Sequence, residues 1–300
     1  MSTPVIEITG LHYRYDKSDA VHGLNLKVMP GRCHGLLGRN GSGKTTTMKC
    51  LLSLLRPQQG TVRLFGMDPA KEEVAVKKRL AYVPDYVGFY PWMNVQETLD
   101  FFASFRDRWN DRTEKDLLER FQLDPKKKVT ALSKGQRTQL ALITAICPEP
   151  ELLILDEPTS GLDPIVRREF IETVIGAYQD ADPANRTILV STHLIAEFEG
   201  LIDEFTLIDA GRDVLTLTTD AARERYQRIH ARFADASTVP DIADVISSRK
   251  NGRNLEVVVN GELDRVMTQL RQLQPEELRQ ESLSLEETFT AVLTAKGGAR

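Results

Sequence analysis

The sequence has few cysteines, and their spacing excludes two classes of protein. Cys33, Cys50 and Cys147 are far apart and lack the spacing of metal ligands. A small and odd number of cysteines is typical of proteins in a reducing compartment, where cysteines serve as small core residues. We therefore expect neither a disulfide framework nor a cysteine-ligated metal site.

Long apolar runs are also missing from the sequence. The longest, around Leu51–Leu55 and Leu152–Leu155, fall far short of the roughly 20 residues that cross a bilayer. The first residues, MSTPVIEITG, show no basic stretch followed by an apolar run, so no signal peptide is expected. The sequence predicts that the chain does not span a membrane.

Neither sign of charge is in large excess. The 39 basic and 43 acidic residues give a net charge of −4, which argues against a surface that binds nucleic acid over the whole protein. A length of 300 residues suggests two domains, given about 100–200 residues per domain. We expect a globular protein with no nucleic-acid partner.

Strands and helices alternate over the first two thirds of the chain. The expected helices run from Gly43 to Leu55, from Pro69 to Arg79, through 94–122 with a break near WNDRTEK, and onward from Lys134 and from Pro164. Apolar strands separate them, among them LAYVP, ELLILDEP and TILVSTH. This alternation predicts an α/β fold with a parallel core sheet.

The pattern changes near residue 218. TTDAARERYQRIHARF is polar and indicates a helix, NLEVVVNG a strand, and ELDRVMTQLRQL and SLEETFTAVL amphipathic helices. We predict a first domain over 1–218, with a helical subdomain at about 85–148, and a small second domain over 219–300.

The segment GRNGSGKT, residues 38–45, fits the phosphate-binding loop G-x-x-x-x-G-K-[ST] between a strand and a helix. Its glycines let successive backbone N–H groups converge on phosphate oxygens. Lys44 would neutralise the β- and γ-phosphates, and Thr45 offers a hydroxyl to Mg²⁺. The loop indicates a nucleoside triphosphate site, which a kinase, a GTPase or a motor protein could equally contain.

Two carboxylates end the buried strand in LLILDEP, residues 152–158. Asp156 lies where such folds order magnesium, and Glu157 is placed to act as general base toward a water that attacks the γ-phosphate. His193 follows a further strand, at the sheet edge where nucleotides bind, and could hydrogen-bond the γ-phosphate.

A second anion site is indicated by LSKGQ, residues 132–136. Ser133 can cap the helix that follows, and its hydroxyl, the Lys134 ammonium, the Gly135 N–H and the Gln136 amide are four donors at a helix N-terminus. One phosphate-binding loop does not explain why the chain would need this second site.

The order GRNGSGKT, LSKGQ, LLILDEP, SGLD, STH resembles the ATP-binding subunit of an ABC transporter, over about residues 3–217. The segments GLLGRNGSGKTT and PTSGLDPIVRREF are most similar to those of bacterial exporter-type subunits whose permease is a separate chain. The resemblance implies a P-loop NTPase fold of ABC type, with a mainly parallel sheet, N-terminal antiparallel strands, a helical signature subdomain and a small α+β C-terminal domain.

The resemblance also implies ATP hydrolysis with Mg²⁺. Lys44, Glu157 and His193 would be catalytic, and Thr45, Asp156 and Asp85 would contact the metal. The implied ATP-binding residues are Tyr15, Gly38, Arg39, Asn40, Gly41, Ser42, Gly43, Lys44, Thr45 and Thr46. Tyr15 would stack on adenine, although Tyr13 competes for that role.

In the family, two ATP-binding subunits pack head to tail, which explains the second anion site. The signature residues Leu132, Ser133, Lys134, Gly135 and Gln136 would bind the ATP held by the partner. Asp163, in SGLD, would lie at the dimer seam and couple the two sites.

The sequence departs from the family at two positions. Lys134 stands where glycine is usual, and it could face phosphate, ribose or solvent. Asp85 stands where glutamine is usual, so its metal contact could be direct, water-mediated or absent. The aromatic segment Phe89–Trp92 after it suits either docking of a membrane partner's helix or core packing.

The resemblance implies a subunit at the cytoplasmic face of the membrane that powers a separate permease and pairs with a second copy or a paralogous subunit. The alternative is a soluble ABC-type ATPase with a non-transport role. DNA-repair types carry a long coiled-coil insertion and translation types two cassettes, and neither is present; a P-loop kinase has no need of LSKGQ. The C-terminal domain could be regulatory or dimer-stabilising.

Overall fold

The chain divides into two compact units, Met1–Thr216 and Leu217–Arg300. The computed structural model describes residues 3–16, 18–179, 182, 184–236, 239–243 and 245–297. In this part of the chain, no helix is both long enough and apolar enough to cross a bilayer.

A six-stranded sheet forms the centre of the first unit, in the order β5-β6-β7-β3-β8-β9. Its strands are β3 (Cys33–Leu37), β5 (Leu80–Val83), β6 (Leu152–Asp156), β7 (Thr187–Thr192), β8 (Glu204–Asp209) and β9 (Arg212–Thr218). The pairs β5–β6, β6–β7, β7–β3 and β3–β8 are all parallel. Every residue of β3, β6 and β7 is buried, as expected for parallel strands covered on both faces.

A smaller antiparallel sheet precedes it, in the order β2-β1-β4. Its strands are β1 (Ile6–Tyr15), β2 (Ser18–Val28) and β4 (Gln59–Leu64). Alternate residues such as Ile6, Ile8, Leu24 and Leu26 enter a core that β6 and β7 share. The predicted α/β fold with a mostly parallel sheet and N-terminal antiparallel strands is confirmed.

The predicted helices of this unit are present with shifted ends, and a short helix that was not predicted, Ile195–Phe198, follows β7. They are α1 (Lys44–Leu51), α2 (Glu73–Arg79), α3 (Val95–Ala103), α4 (Asp111–Arg120), α5 (Lys134–Ile146), α6 (Pro164–Thr173) and α7 (Ile195–Phe198). A π-helix, Val174–Gln179, continues α6. The helix predicted from Pro69 begins only at Glu73, because the Asp68 carbonyl and carboxylate hold the residues between them in a turn.

The break in the segment 94–122 lies at residues 104–110, before most of WNDRTEK. The Asn110 side chain accepts the N–H of Thr113 and so caps α4 at the second residue of WNDRTEK. Asparagine is among the residues that cap helices most strongly, so the break ends at Asn110.

The second unit contains an antiparallel sheet in the order β11-β12-β10-β13. Its elements are α8 (Thr219–Arg225), β10 (Tyr226–Arg232), β11 (Ser247–Asn251), β12 (Asn254–Asn260), α9 (Leu263–Gln272), β13 (Glu277–Ser282) and α10 (Leu285–Gly297). Val266, Met267 and Leu270 of α9 pack on one face of this sheet. When these four strands are numbered 1 to 4 along the chain, their order across the sheet is 4-1-3-2, as in ferredoxin-like sheets.

The predicted continuous helix over TTDAARERYQRIHARF is wrong in its second half. Helix α8 ends at Arg225, and Tyr226–Arg232 form a central strand paired with β12 and β13. The side chains of Ile229 and Ala231 are buried, while those of His230 and Arg232 are exposed. This period of two is that of a strand, although the composition of the segment favours a helix.

Candidate active site

Three elements of the parallel sheet bring the predicted site residues to one edge. The strands β6, β7 and β3 are neighbours, and the phosphate-binding loop follows β3 directly. Asp156 ends β6, opposite Ser191 of β7, and Leu37 ends β3, opposite Thr192. Because parallel strands end at the same edge, the loop, the two carboxylates and His193 converge.

Lys44 is buried within the loop that carries it. Its Nζ donates to the carbonyl oxygen of Gly38 at 2.7 Å and to that of Arg39 at 3.3 Å. The same nitrogen lies 3.0 Å from Glu157 Oε1. The loop thus curls around the ammonium and points its positive charge toward the sheet edge.

The loop's backbone requires glycine at two of its positions. A Cβ on Gly38 would lie 2.4 Å from Ser42 Oγ and 2.5 Å from the Ile208 carbonyl oxygen. Gly43 has a φ of 106°, and a Cβ there would lie 2.6 Å from the Ala20 carbonyl oxygen. Other residues at these positions would force the loop open.

Ser42 is the residue that indicates a ligand most directly. Its Oγ is buried and has no hydrogen-bond partner among the described residues. Since buried polar atoms are almost always hydrogen-bonded, the loop is suited to an oxygen-rich group from outside the protein. A phosphate fits this requirement and the positive charge of Lys44.

Asp156 is fully buried and held by three hydroxyl groups. Ser191 Oγ donates to Oδ1 at 2.6 Å, Thr45 Oγ1 donates to the same oxygen at 3.2 Å, and Tyr82 OH donates to Oδ2 at 3.4 Å. Burial raises the pKa of this carboxyl, the bonds from Ser191 and Thr45 partly offset the rise, and the charges of Glu157 and Asp85 add to it.

A divalent cation suits this arrangement. The Thr45 hydroxyl and the Asp156 carboxylate are hard oxygen donors in contact with each other, at the mouth of a phosphate loop. Mg²⁺ is usually held by one or two such protein oxygens together with substrate phosphates. Desolvation and two nearby carboxylates also favour a positive ion beside Asp156.

Glu157 stands in a left-handed backbone conformation, with a φ of 47°. Its N–H donates to the carbonyl oxygen of Ser191 at 3.0 Å and to Ser191 Oγ at 3.1 Å. Its Oε2 lies 2.7 Å from His193 Nδ1, while Oε1 faces Lys44. The carboxylate is therefore held between a lysine and an imidazole at the site.

Sequence reasoning missed two contributors to this cluster, Ser191 and Tyr82. Ser191 contacts both Asp156 and Glu157, and Tyr82 contacts Asp156. Burial, followed by the Asp156 charge, raises the Tyr82 pKa well above its usual range, so the phenol remains a donor. The signal for Ser191 is its position in STH at the end of a predicted strand, where His193 alone is predicted as a site residue.

The signature residues lie at the start of α5. Ser133 Oγ accepts the N–H of Gln136 at 3.1 Å, and Gln136 Oε1 accepts the N–H of Ser133, which forms a capping box. Leu132 is buried, whereas Ser133 and Lys134 are exposed. Within the described residues, no hydrogen bond or ion pair joins this segment to the phosphate-binding loop.

Among the remaining predicted residues, Asp163, Asp85 and Tyr15 lie at exposed positions, whereas Thr46 is buried in α1. Asp163 caps α6 by accepting the N–H groups of Ile165 and Val166 at 3.2 and 3.1 Å. Asp85 is exposed just after β5. Tyr15 is 42% exposed, whereas Tyr13 is partly buried against the core.

Comparisons with known proteins agree with this geometry. Residues 21–160 match the family described as ABC transporter. The Nod factor export ATP-binding protein I of Ralstonia nicotianae is 36% identical over 221 residues, which are 71% of this chain and 67% of that protein. The bacitracin transport ATP-binding protein of Bacillus licheniformis is 34% identical over 230 residues, 76% of this chain and 74% of that one.

The chain belongs to the ABC transporter ATP-binding family. A solved ATP-binding subunit of an ABC transporter has the same fold, with a TM-score of 0.65 and 28% identity over 73% of this chain and 92% of that one. The chain is accordingly an ATP-binding protein and an ATPase of the ABC type, and the expected family is confirmed.

Proposed function

We propose that this ABC ATPase dimerises head to tail around two ATP molecules and powers a separately encoded membrane permease, in an export system. The similarity to a Nod factor export protein supports the direction of transport. The convergence of the phosphate loop, Asp156, Glu157 and His193 at one sheet edge supports hydrolysis within the site. Such a subunit would act at the cytoplasmic face of the membrane.

The side chains divide the chemistry among them. The Lys44 ammonium would neutralise the β- and γ-phosphates, while Thr45 and Asp156 would hold Mg²⁺, which supplies further positive charge. Glu157 would accept the proton of the attacking water. His193, 2.7 Å from Glu157, would orient that carboxylate and hydrogen-bond the γ-phosphate.

The observation that carries the proposed dimer is the placement of the signature. Ser133 presents an exposed hydroxyl at the N-terminus of a helix of 13 residues, where the helix dipole favours an anion. Because no described contact joins Leu132–Gln136 to the chain's own phosphate loop, its ligand is expected to come from a second subunit. A head-to-tail dimer supplies that ligand twice, once at each site.

Exposed aromatic side chains suggest where the permease would dock. Tyr86, Trp92 and Phe105 are 83%, 64% and 71% exposed. Phe105 also lines a groove of about 840 Å³ together with Leu54 and Val74, which are exposed as well. Apolar patches of this kind mark interaction sites, and an amphipathic helix of a permease fits a groove with an apolar floor.

The aromatic residues of Phe89–Trp92 differ in their packing. Phe89 is half-buried and packs edge-on against Phe102, at 6.1 Å between ring centroids. Tyr90 and Trp92 stack on each other at 4.9 Å and remain exposed. One aromatic residue thus packs inward, and the other two are available to a partner.

Glu157→Gln tests the dimer. The amide keeps the shape of the side chain but cannot accept the proton, so ATP should bind and turnover should fall by at least about 10²-fold. We expect the variant to elute as a dimer in size-exclusion chromatography with saturating ATP and Mg²⁺, and as a monomer without them.

The matched control combines Glu157→Gln with Ser133→Arg. The added guanidinium should block closure at the partner's phosphate without touching the chain's own loop, so this protein should bind ATP and remain a monomer. A double variant that dimerises as well as Glu157→Gln would contradict a signature that acts in trans.

A further inference from the structure

The signature lysine contacts a second functional segment of the same chain. Lys134 Nζ donates to the carbonyl oxygen of Ser160 at 2.5 Å. Ser160 begins the SGLD turn, which leads from Glu157 to Asp163 at the start of α6. Lys134, which stands where the family usually has glycine, thus connects the start of α5 to the segment that follows β6.

The turn transmits this contact to the general base. Ser160 N donates to the carbonyl oxygen of Glu157 at 3.0 Å. Glu157 is in turn held in a left-handed conformation, where a residue other than glycine depends on its surroundings to stay. A short path of hydrogen bonds therefore joins Lys134 to the backbone that orients the Glu157 carboxylate.

Contacts from residues of α6 and α7 also hold this part of the chain. Thr159 Oγ1 donates to Glu197 Oε2 at 3.0 Å, and Arg167 Nε donates to the carbonyl oxygen of Leu162 at 2.7 Å. Arg167 also forms an ion pair with Glu197. Lys134 acts on the Ser160 carbonyl between these fixed points, where its ammonium limits the remaining freedom of the turn.

The packing around this contact leaves little space. Gly161 has a φ of 68°, and a Cβ there would lie 2.9 Å from Lys134 Nζ. A Cβ on Gly135 would lie 3.1 Å from Val166 Cγ1. The starts of α5 and α6 are thus close together, and the ammonium lies directly over Gly161.

We propose that Lys134 is a positioning residue, whose ammonium holds the Ser160–Asp163 turn and through it sets the position of Glu157 for hydrolysis. The proposal rests on the ATPase function above but does not require the dimer. It separates Lys134 from Ser133, which serves the partner's phosphate, because the lysine acts within its own chain.

Lys134→Met tests this by removing the donor while keeping an unbranched side chain that is one atom shorter. One charge-assisted hydrogen bond at an exposed position is lost, so kcat should fall about three- to tenfold while KM for ATP changes less than about twofold. Lys134→Arg keeps a donor and should retain at least about half of kcat. Lys126→Met, an exposed lysine of the same subdomain, is the matched control and should leave both constants unchanged.

A double-mutant cycle with Gly161→Ala identifies the contact itself. The added Cβ displaces the ammonium and, at a φ of 68°, also strains the turn, so the effect of Lys134→Met is measured relative to Gly161→Ala alone. In that background Lys134→Met should cost less than about twofold in kcat. An equal cost in both backgrounds would place the action of Lys134 elsewhere. A raised KM with normal kcat in Lys134→Met would overturn the proposal in favour of a nucleotide contact, and a normal kcat and KM would overturn it outright.

These outcomes differ from failure of the proposed function. Loss of the head-to-tail dimer would appear in Glu157→Gln, which keeps Lys134. A positioning defect would appear in the kcat of Lys134→Met, while Glu157→Gln with Lys134→Met should still form the ATP-dependent dimer. Melting temperatures close to that of the unmodified protein confirm that each variant folds.

Discussion

Ser191→Ala removes the contact that holds Asp156 most closely. The hydroxyl donates to Asp156 Oδ1 at 2.6 Å inside a fully buried cluster and also accepts the N–H of Glu157. The Glu157 N–H keeps a second acceptor, the Ser191 carbonyl oxygen at 3.0 Å, which alanine also provides. The substitution therefore costs one hydrogen bond to a buried carboxylate, whose remaining hydroxyl donors among the described residues are Thr45 and Tyr82.

The expected loss of stability follows from the removal of one hydrogen bond. A hydrogen bond to a charged group contributes about 1.5–3 kcal/mol to the free energy of unfolding. In a unit of this size each kcal/mol shifts the melting temperature by about 2–4 °C, which predicts a loss of about 3–12 °C. Because Asp156 would also be less well oriented, more Mg²⁺ should be needed for half-maximal ATPase activity.

Two measurements check this prediction. Thermal unfolding with a chelator present reports the lost hydrogen bond, and ATPase activity against Mg²⁺ concentration reports the orientation of Asp156. Ser18→Ala makes the same substitution at an exposed strand position and should change neither. Equal melting temperatures for the two variants would refute the role assigned to the Ser191 hydroxyl.

Two further substitutions test the phosphate loop and the residue at the family's glutamine position. Lys44→Ala removes the charge that would face the β- and γ-phosphates, so ATP binding measured by calorimetry should weaken and turnover should stop; normal ATPase activity would disprove the assignment. Asp85→Asn should raise the Mg²⁺ concentration for half-maximal activity, because attraction between the carboxylate and the metal is lost, whereas Asp85→Gln should keep a substantial share of activity. A Mg²⁺ titration unchanged in Asp85→Asn would exclude a metal role for Asp85.

The parallel core and its sheet edge could be predicted because the signals lie in continuous segments. An apolar run that ends in a glycine-rich loop or in two carboxylates gives both the strand and the functional residue after it. Ser191 could not be predicted in the same way, because its role depends on its register opposite Asp156 in the neighbouring strand. Tyr82 belongs to the strand on the other side of β6, and its contact also depends on how the strands assemble.

The second unit was harder to predict for a different reason. The strand Tyr226–Arg232 is rich in residues that favour helix, and its pairing with two neighbouring strands overrides that preference. The edge strands Ser247–Asn251 and Glu277–Ser282 are almost entirely polar, which discourages pairing with other chains but removes the alternation by which strands are recognised. Only Asn254–Asn260, whose core side chains are valine and leucine, carried a clear strand pattern.

The contacts of Lys44 and Glu157 place a condition on the proposed reaction. The lysine that would bind phosphate is already paired with the carboxylate that would serve as base, at 3.0 Å and with both side chains largely buried. A phosphate that reaches Lys44 competes with Glu157 for the same ammonium, and two anions repel each other strongly where water is excluded. Binding would therefore require Glu157 to weaken its contact with Lys44 and to be stabilised by another partner, and His193 already contacts the opposite carboxylate oxygen. In the proposed reaction the imidazole would hold the carboxylate in place while Lys44 exchanges one anion for another.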